Sequence, residues 1–551
     1  MLLTSGVRTA WIDFYLRYDY MSESAYQSLA GQRIRQHGIG ELPARSAARF
    51  PKKTAIVYGD LRQTYAELDE AINRAANALG AQGVTRGGRV ALFSHNNYTF
   101  VVLHFALARL GAISVPINFM LNASEVAYIL DHSGAIGIIA EETLSTVAEQ
   151  AIGLARQPPT IKGVIPETSS RAPENWCDVS QWLRYPAATR PDIYIDDTDP
   201  IQIMYTSGTE SRPKGAVLTG RNFLSQYVSC IIDGEMGPED IELHALPLYH
   251  CAQLHTFLSP GLYVGSTNII LPAPEPTRIL ELIERERISK LFCPPTVWIS
   301  LLRHADFGMR DLSSLRKGYY GASIMPIELI KELCERLPAL RLFNFYGQTE
   351  MSPLAAVLKP EDQLRKLGSA GRPAINVETR IVNDSDQPVP PGTVGEIVHR
   401  GPHVMLGYWN DPEKTAEAFR NGWFHSGDLG VIDEDGYLSV VDRKKDMIKT
   451  GGENVASREV EEVLYQHAAV AEVAVLGIPH PLWIEAVIAA VVLRQGAEIT
   501  QDGLISFCRD RLAGFKTPKR IVFFEHLPKN ASGKILKREL REKLSATAAP
   551  C

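Results

Sequence analysis

The sequence has few of the features that mark disulfide-rich, membrane-spanning or nucleic-acid-binding proteins. Its seven cysteines are scattered and contain no C-x-x-C pair, which is typical of free thiols in a reducing cytoplasm and excludes a disulfide or structural zinc framework. The most apolar long window, "VVLHFALARLGAISVPINFML", is interrupted by His104, Arg109 and Asn118, so no transmembrane segment is expected. The N-terminus lacks a basic region followed by an apolar one, so it is not a secretory signal. The net charge of −6 gives no case for nucleic-acid binding, and we predict a cytoplasmic protein.

Two common catalytic patterns are also missing. No G-x-S-x-G or Ser/His/Asp arrangement is found, and the segment "YTSGTESRPKGAVLTG", from Tyr205 to Gly220, fails the Walker A spacing because Pro213 precedes Lys214. The segment is nevertheless rich in hydroxyls and glycines, which let backbone N–H groups approach an anion. Taken alone, the segment is more simply a turn between two strands, and phosphate binding stays open.

What the sequence does contain is a long alternation of helix-period and strand-period segments. At 551 residues it exceeds a single hydrophobic core, and the alternation predicts an α/β fold with largely parallel sheets. The segment "VETRIVNDSDQPVPPGTVGEIVHRG" predicts a small β-subdomain, and the pattern changes again near Asp442. We predict an N-terminal extension over 1–40, a large layered α/β domain over 41–442, a hinge over 443–447, and a small mobile α+β C-terminal domain over 448–551.

Five polar motifs need an explanation. These are the segment from Tyr205 to Gly220, "YGQTE" directly after an apolar strand, "WFHSGDLG", "DRKKD" followed by "KTGGEN", and "LPKNASGKILKREL" near the C-terminus. Ligands of α/β folds bind at the carboxyl ends of strands, which is where "YGQTE" lies. Each of the other motifs, taken alone, is most simply a turn or a solvated surface.

The order and spacing of the five motifs resemble the adenylate-forming superfamily of acyl-CoA synthetases, adenylation domains and luciferases. The resemblance covers nearly the whole chain, from about Ala44 to Leu540. It implies a ligase that joins a carboxylic acid to ATP as an acyl-adenylate, releases pyrophosphate, and passes the acyl group to CoA. An ionised carboxylate attacks an anionic phosphorus centre in this reaction, so cationic groups and positioning are needed and a general base is not.

The resemblance also implies a role for each motif residue. Tyr346 would stack on adenine, and Glu350 would hold Mg²⁺, a hard cation that prefers carboxylate and phosphate oxygens. Lys534, which with Thr349 and Glu350 forms the implied catalytic set, would lie between the substrate carboxylate and the α-phosphate. The other implied contacts are Thr349 for the α-phosphate; Gly321, Ala322, Asp428 and Arg443 for adenine and ribose; and Thr206, Ser207, Gly208, Thr209 and Lys214 for the β- and γ-phosphates.

The second half-reaction is implied to use a different orientation of the C-terminal domain. Lys445 matches the hinge position, about which the domain would swing to remove Lys534 and bring in Gly451 and Gly452, whose lack of side chains would let a pantetheine arm pass. The basic segment from Lys516 to Lys543 is either a dock for CoA phosphates or a solvated helical face, and both interpretations stay open.

The acid and the acceptor are less firmly implied. Positions that match the acyl pocket of the family are His250, Cys251, Tyr320, Ser323 and Met351. All are apolar or neutral, which predicts a hydrophobic monocarboxylic acid: fatty, aromatic or polycyclic. His250 is either a gate of this pocket or a packed polar residue, the latter being the commoner case.

The chain also departs from the family. Glu210 and Ser211 stand where threonine and glycine are usual, and Gly220 replaces a common histidine, so we expect weaker ATP binding or an altered loop path. Four alternatives stay open: an acyl-AMP ligase that loads a carrier protein, an oxygenating luciferase, a catalytically silent relative, and a homodimeric assembly.

Overall fold

The computed structural model of the chain describes residue 34 and residues 36–167, 173–206, 213–323, 325–531 and 533–546. Five of the residues discussed above lie outside the described residues: Ser207, Gly208, Thr209, Glu210 and Ser211. The described part of the chain forms four β-sheets, covered by helices, and the predicted α/β fold with a smaller C-terminal α+β domain is confirmed.

Two large sheets build the N-terminal domain, and both are parallel apart from strands at their edges, as predicted. Among the described residues, the first sheet contains, in spatial order, the nine strands Arg372–Pro373, Leu354–Leu358, Arg341–Gly347, Lys317–Gly321, Lys290–Phe292, Ile241–His244, Thr267–Ile270, Thr54–Tyr58 and Leu61–Thr64. The second contains the eight strands Gly407–Tyr408, Lys214–Thr219, Pro200–Thr206, Ile113–Ile117, Arg89–Phe93, Gly137–Glu141, Ile161–Ile165 and Cys177–Asp178.

The two smaller sheets belong to the β-subdomain and the C-terminal domain. The antiparallel sheet of the β-subdomain has, within the described residues, the order Glu378–Val382, Gly395–Arg400, Phe424–Ile432 and Leu438–Arg443. The C-terminal sheet has the order Glu453–Val455, Ile448–Thr450, Ile484–Leu493 and Val470–His480, with Arg520–Phe523 pairing in parallel with Ile484–Leu493.

Helices cover the faces of these sheets. The helices, in chain order through the described residues, are Leu42–Arg49, Tyr65–Ala81, Tyr98–Arg109, Ala123–Ser133, Ser145–Leu154, Val179–Trp182, Gly220–Asp233, Cys251–Gln253, the π-helix Leu254–Leu258, Ser259–Val264, Pro276–Arg285, Pro295–Arg303, Ile327–Arg336, Pro412–Ala418, Ser457–Tyr465, Gln501–Arg509 and Lys537–Ala546. Short 3₁₀ turns occupy Ile39–Glu41, Glu142–Leu144, Ala305–Gly308, Thr349–Met351, Pro360–Asp362 and Arg420–Gly422. In the part of the chain that is described, none of these helices combines the length and apolar character that a membrane crossing requires.

Local sequence explains most helix starts. Thr64 caps the helix Tyr65–Ala81 in a capping box with Glu67, as its position before the apolar periodicity favours. The helix Ser457–Tyr465 is different, because Ala456 precedes it without a side-chain cap. The N–H group of Ser457 donates to the carboxylate of Asp442, which lies on the strand Leu438–Arg443.

Candidate active site

One cavity of about 640 Å³ lies where the strand ends of the N-terminal domain, the β-subdomain and a loop of the C-terminal domain meet. It brings together residues from each of the five polar motifs, the fourth being represented by "DRKKD" and not by "KTGGEN". The predicted site residues that line it are Thr206, Lys214, His250, Cys251, Ala322, Tyr346, Thr349, Glu350, Asp428, Arg443, Lys445 and Lys534. The structure thus gathers into one site residues that are more than 300 positions apart in the sequence, such as Thr206 and Lys534.

The motif "YGQTE" enters the cavity at the end of the strand Arg341–Gly347. Gly347 is required by close packing, since a Cβ atom there would lie 1.8 Å from the carbonyl oxygen of Pro353. The chain then turns through Thr349–Met351, which places Thr349 and Glu350 on the cavity wall. The position of this motif at the carboxyl end of a sheet strand is the location where α/β folds bind ligands.

Tyr346, Asp428 and Arg443 form a connected group at one end of the cavity. The hydroxyl of Tyr346 donates to Oδ2 of Asp428 at 2.8 Å, and Nε of Arg443 lies 3.6 Å from Oδ1 of the same carboxylate. Asp428 and Arg443 are register partners on adjacent antiparallel strands, which fixes their spacing. Burial and the charge of Asp428 raise the pKa of Tyr346, so its hydroxyl stays protonated. A fixed carboxylate beside a half-buried aromatic ring suits a ribose with its attached base.

A second group lies around Lys214 and Glu350. Thr206 and Lys214 are register partners at the ends of the antiparallel strands Pro200–Thr206 and Lys214–Thr219. Nζ of Lys214 lies 5.3 Å from the ring centroid of Tyr408, and the hydroxyl of Tyr408 donates to Oε1 of Glu350 at 3.0 Å. Tyr408 could not be found from the sequence, because nothing in "MLGYWN" distinguishes it from a packing tyrosine.

Lys534 reaches the cavity from a tight loop of the C-terminal domain. The backbone N–H of Lys534 donates to the side chain of Asn530 at 2.9 Å, and the N–H of Asn530 donates to the carbonyl of Lys534 at 2.9 Å. Across the domain boundary, Oγ1 of Thr296 donates to the carbonyl of Gly533 at 3.2 Å. Burial and the nearby charge of Arg443 lower the pKa of Lys534 to about 7. An ammonium group held in this way is stabilised by an anion bound beside it.

His250 supplies no positive charge to the same region. Burial, with the charge of Lys534 as a second cause, lowers its pKa to about 4, so the imidazole is neutral near pH 7. Its Nδ1 accepts the N–H of Ala252 at 3.2 Å and so caps the following helical turn. His250 therefore caps the helix Cys251–Gln253 as a neutral imidazole.

An apolar wall continues from His250 into the domain; we call it the acyl wall. It consists of Met204, Cys251, Thr256, Phe257, Phe292 and Phe345. The ring of Phe257 stacks on that of Phe292 with centroids 4.4 Å apart and lies 5.7 Å from that of Phe345. Sγ of Cys251 is 3.2 Å from Oγ1 of Thr349, and burial raises the pKa of Cys251 to about 12, so this thiol stays protonated. The three phenylalanines were missed, because aromatic residues in apolar segments are indistinguishable from core residues by sequence.

Several predicted residues lie away from this cavity. Tyr320 is buried and its hydroxyl donates to Oε1 of Gln363 at 2.9 Å, while Met351 is fully buried in the core. Gly321 and Ser323 are likewise not among the residues that line the cavity. Gly451 and Gly452, with φ values of 60° and 90°, form the turn between two short strands of the C-terminal domain and do not line the cavity either. The roles predicted for these residues stay predictions.

Several basic residues between Lys516 and Lys543 form ion pairs, mostly with carboxylates of their own domain. Lys516 pairs with Glu459 at 2.7 Å, and Lys529 pairs with Glu472 at 2.8 Å. Further ion pairs join Lys537 to Glu461, Arg538 to Glu542, and Arg541 to Asp446. This pairing favours the interpretation as a structured helical face over a dedicated dock for CoA phosphates.

Comparisons with known proteins agree with this geometry. The family described as "AMP-binding enzyme" matches residues 43–409, and that described as "AMP-binding enzyme C-terminal domain" matches residues 459–534. A feruloyl-CoA synthase from Amycolatopsis sp is 39% identical over 93% of this chain and 100% of its own length. An indoleacetate–CoA ligase from Aromatoleum aromaticum is 35% identical over 92% of this chain and 98% of its own. The crystal structure of ATP-bound MatB from Rhodopseudomonas palustris superposes with a TM-score of 0.84 at 30% identity, covering 92% of this chain and 99% of that one.

Proposed function

Since the chain belongs to the AMP-binding enzyme family, we propose that its cavity activates an aromatic monocarboxylic acid for transfer to CoA. The chain is an AMP-forming acyl-CoA synthetase, as are its relatives of 35–39% identity over most of the chain. In the first step a carboxylate oxygen attacks the α-phosphorus of ATP, and the bond from that phosphorus to the β-phosphate bridging oxygen breaks to release pyrophosphate. In the second step a thiolate sulfur attacks the acyl carbon and AMP leaves.

The observation that carries the choice of an aromatic acid is the acyl wall. Phe257, Phe292 and Phe345 line the cavity and their rings contact one another, and aromatic pairs are worth about 0.5–1.5 kcal/mol beyond the apolar area that they bury. No charged residue belongs to the wall as defined, and His250 beside it is neutral, so a second carboxylate on the acid would find no partner there. The names of two relatives, a feruloyl-CoA synthase and an indoleacetate–CoA ligase, point to arene-containing acids as well.

The polar residues of the cavity supply the adenylation chemistry. We assign Asp428 to the ribose hydroxyls, with Tyr346 against adenine and Lys214 near the outer phosphates. Lys534 would hold the substrate carboxylate against the α-phosphate, and Thr349 would donate to an α-phosphate oxygen as charge builds there. The protonated Cys251 acts as a neutral packing group, which leaves nucleophilic attack in the second step to an external thiol.

The cavity also fits a magnesium ion bound together with the triphosphate. Glu350 is 9% exposed, lines the cavity, and places one carboxylate oxygen against the Tyr408 hydroxyl. In the described part of the chain no group of three or more His, Cys, Asp or Glu side chains is placed to cage a metal. A single carboxylate plus substrate phosphates is the usual arrangement for Mg²⁺, whose contribution would be to neutralise charge on the departing pyrophosphate.

We further propose that the two steps use two orientations of the C-terminal domain. The structure has Lys534 in the cavity and Gly451 and Gly452 outside it, which is the arrangement that the first step requires. Turning the domain about a hinge at 443–447 would exchange the two. We propose free CoA as the acyl acceptor. Transfer to the pantetheine arm of a carrier protein is the alternative, and measuring thioester formation with CoA distinguishes the two.

The proposal is tested with a panel of acids. Pyrophosphate release and thioester formation, the latter identified by mass, are measured with Mg·ATP and CoA for aryl-propenoic, aryl-acetic, medium-chain, long-chain and dicarboxylic acids. We expect an aryl acid to give the highest kcat/KM and an acyl-CoA product. A fatty acid preferred tenfold would contradict the aromatic assignment, and pyrophosphate release without a CoA thioester would favour the carrier-protein alternative.

Matched variants locate the preference in the acyl wall. Phe257→Leu should lower kcat/KM for the best aryl acid about fivefold while leaving KM for ATP unchanged, because a lost aromatic contact is worth about 1 kcal/mol. Phe343→Leu is the control, since Phe343 is buried in the same domain and stacks on Tyr319 at 4.8 Å outside the cavity. Equal effects of the two variants would place the preference elsewhere.

A further inference from the structure

The first helix of the C-terminal domain is capped from across the hinge. The N–H of Ser457 donates to Oδ2 of Asp442 at 2.6 Å, and Oδ1 of the same carboxylate accepts the N–H of Arg443 at 2.8 Å. Asp442 belongs to the β-subdomain strand Leu438–Arg443, whereas Ser457 begins the helix Ser457–Tyr465 on the far side of 443–447. Both residues are buried. A carboxylate at a helix N-terminus is stabilised by the exposed N–H groups there, so this contact favours the observed orientation.

The next residue makes a second connection across the hinge. The guanidinium of Arg458 donates to the carbonyl of Gly368 at 3.0 Å and also to the carbonyl of Val440. Both acceptors lie in the N-terminal domain, and Arg458 itself is half-buried. The planar guanidinium presents its donors in a fixed geometry, so the two bonds define both the distance and the direction between the domains.

These contacts are joined to the loop that carries Lys534. Nζ of Lys537 donates to Oγ of Ser457 at 2.7 Å and pairs with Oε1 of Glu461 at 2.8 Å. Burial by itself would lower the pKa of Lys537. The carboxylates of Glu461 and Asp442 stabilise its ammonium form more strongly, so the pKa is raised. Since Lys537 lies three positions after Lys534, the helix held by Asp442 and Arg458 is also bonded to the segment that enters the cavity.

We propose that Arg458 and Asp442 are positioning residues for adenylation, which hold the C-terminal domain in the orientation that places Lys534 in the cavity. Neither residue lines the cavity, so they act through Lys534 rather than on the substrate. A swing of the domain about 443–447 separates Arg458 from its two carbonyl acceptors and Ser457 from Asp442. The bonds therefore stabilise one of two orientations and bias the equilibrium toward it. This inference rests on the proposed two-orientation mechanism.

The test is the ratio of the two half-reaction rates in Arg458→Met, which keeps an unbranched side chain and removes the guanidinium. Adenylation is measured as acid-dependent pyrophosphate release in a single turnover without CoA, and acyl transfer as thioester formation from supplied acyl-adenylate and CoA. We expect adenylation to fall about tenfold or more, the effect of losing buried charge-assisted hydrogen bonds, with acyl transfer unchanged or faster. Asp442→Asn, which keeps the shape of the side chain, should shift the ratio in the same direction.

Arg538→Met is the matched control. Arg538 lies in the same domain, is exposed, and bonds Glu542 of its own helix at 3.0 Å, so its loss should leave both rates unchanged. Equal losses in both half-reactions of Arg458→Met, or an unchanged adenylation rate, would overturn the inference. The wild-type protein is measured first: no acid-dependent pyrophosphate release by the wild type would refute the proposed function itself, whereas a failure confined to the variants refutes only the positioning role.

Discussion

Lys534 lies where its own charge is unfavourable until an anion is bound. Burial, together with Arg443 and Lys445, lowers its pKa to about 7, and the carboxylates of Asp428 and Asp446 only partly oppose this effect. A bound triphosphate and substrate carboxylate would add negative charge beside the ammonium and raise its pKa again. The residue therefore acts as a cation whose charge is coupled to the presence of substrates.

This coupling predicts a pH dependence. The charged form of Lys534 is present below its pKa and is lost above it, so kcat/KM for ATP in adenylation should fall as pH rises through about 7. The maximal rate with bound substrates should hold to higher pH, because kcat reports the pKa of the substrate complex. The measurement is the pH profile of pyrophosphate release at limiting and at saturating ATP.

Lys534→Arg provides the control for this profile. Arginine keeps its charge throughout the range, so the variant, although slower, should lose the fall near pH 7 while sharing any titration of ATP itself. The coupling is refuted if the variant shows the same fall as the wild type.

Among single residues, those that belong to the polar motifs could be named from the sequence because the motifs resemble a known superfamily. Asp428, Glu350 and Lys534 were named in this way, and the structure places all three at one cavity. Phe257 and Tyr408 could not be found in this way, because only the arrangement of other elements makes one ring a cavity wall and one hydroxyl a partner of Glu350. Tyr320, conversely, matches a position of the family's acyl pocket, yet it is buried away from the cavity and its hydroxyl donates to Gln363.

At the scale of elements, the loop that carries Lys534 depends on a glycine. Gly533 has a φ of +80°, and a Cβ atom there would lie 2.5 Å from Oγ1 of Thr296 on the facing helix Pro295–Arg303. The loop therefore needs both the left-handed conformation and the close approach that glycine permits. The same Thr296 hydroxyl donates to the Gly533 carbonyl, so the clash would fall on a contact that joins the two domains.

Gly533→Ala should consequently slow adenylation about tenfold or more, with a smaller effect on acyl transfer from supplied acyl-adenylate. Gly496→Ala is the control, because Gly496 has a φ of +75° and open space around its Cβ position, so that it shares the backbone strain of about 1 kcal/mol without the clash. Single-turnover rates of both half-reactions provide the comparison. Equal effects of the two alanines would show that strain, rather than the contact with Thr296, limits the loop.

The helices and strands themselves follow closely from the sequence. Hydrophobic periodicity predicts the helix Tyr65–Ala81, and Thr64 marks its start within a capping box. The start of the helix Ser457–Tyr465 shows the limit of this reasoning. Its first N–H is satisfied by Asp442, 15 positions earlier in the chain, which local sequence signals do not reveal.

At the scale of the whole molecule, the domain orientation is the feature least accessible from sequence. The contact between Arg458 and Gly368 joins residues 90 positions apart, and no periodicity or motif pairs them. The net charge of −6 likewise says little about the basic C-terminal segment, because three of its lysines are paired with carboxylates of the same domain. The resemblance to the adenylate-forming superfamily provided the two-domain plan, and the structure adds the bonds that hold one arrangement.

Exchange of labelled pyrophosphate into ATP shows whether this protein forms an acyl-adenylate before any thiol is involved. With Mg·ATP and the best acid of the panel, but without CoA, we predict acid-dependent exchange in the wild type and its loss in Lys534→Ala, because the first step is complete and reversible on its own. Absence of exchange until CoA is added, or formation of ADP and phosphate in place of AMP and pyrophosphate, would show that no acyl-adenylate forms ahead of the thiol step.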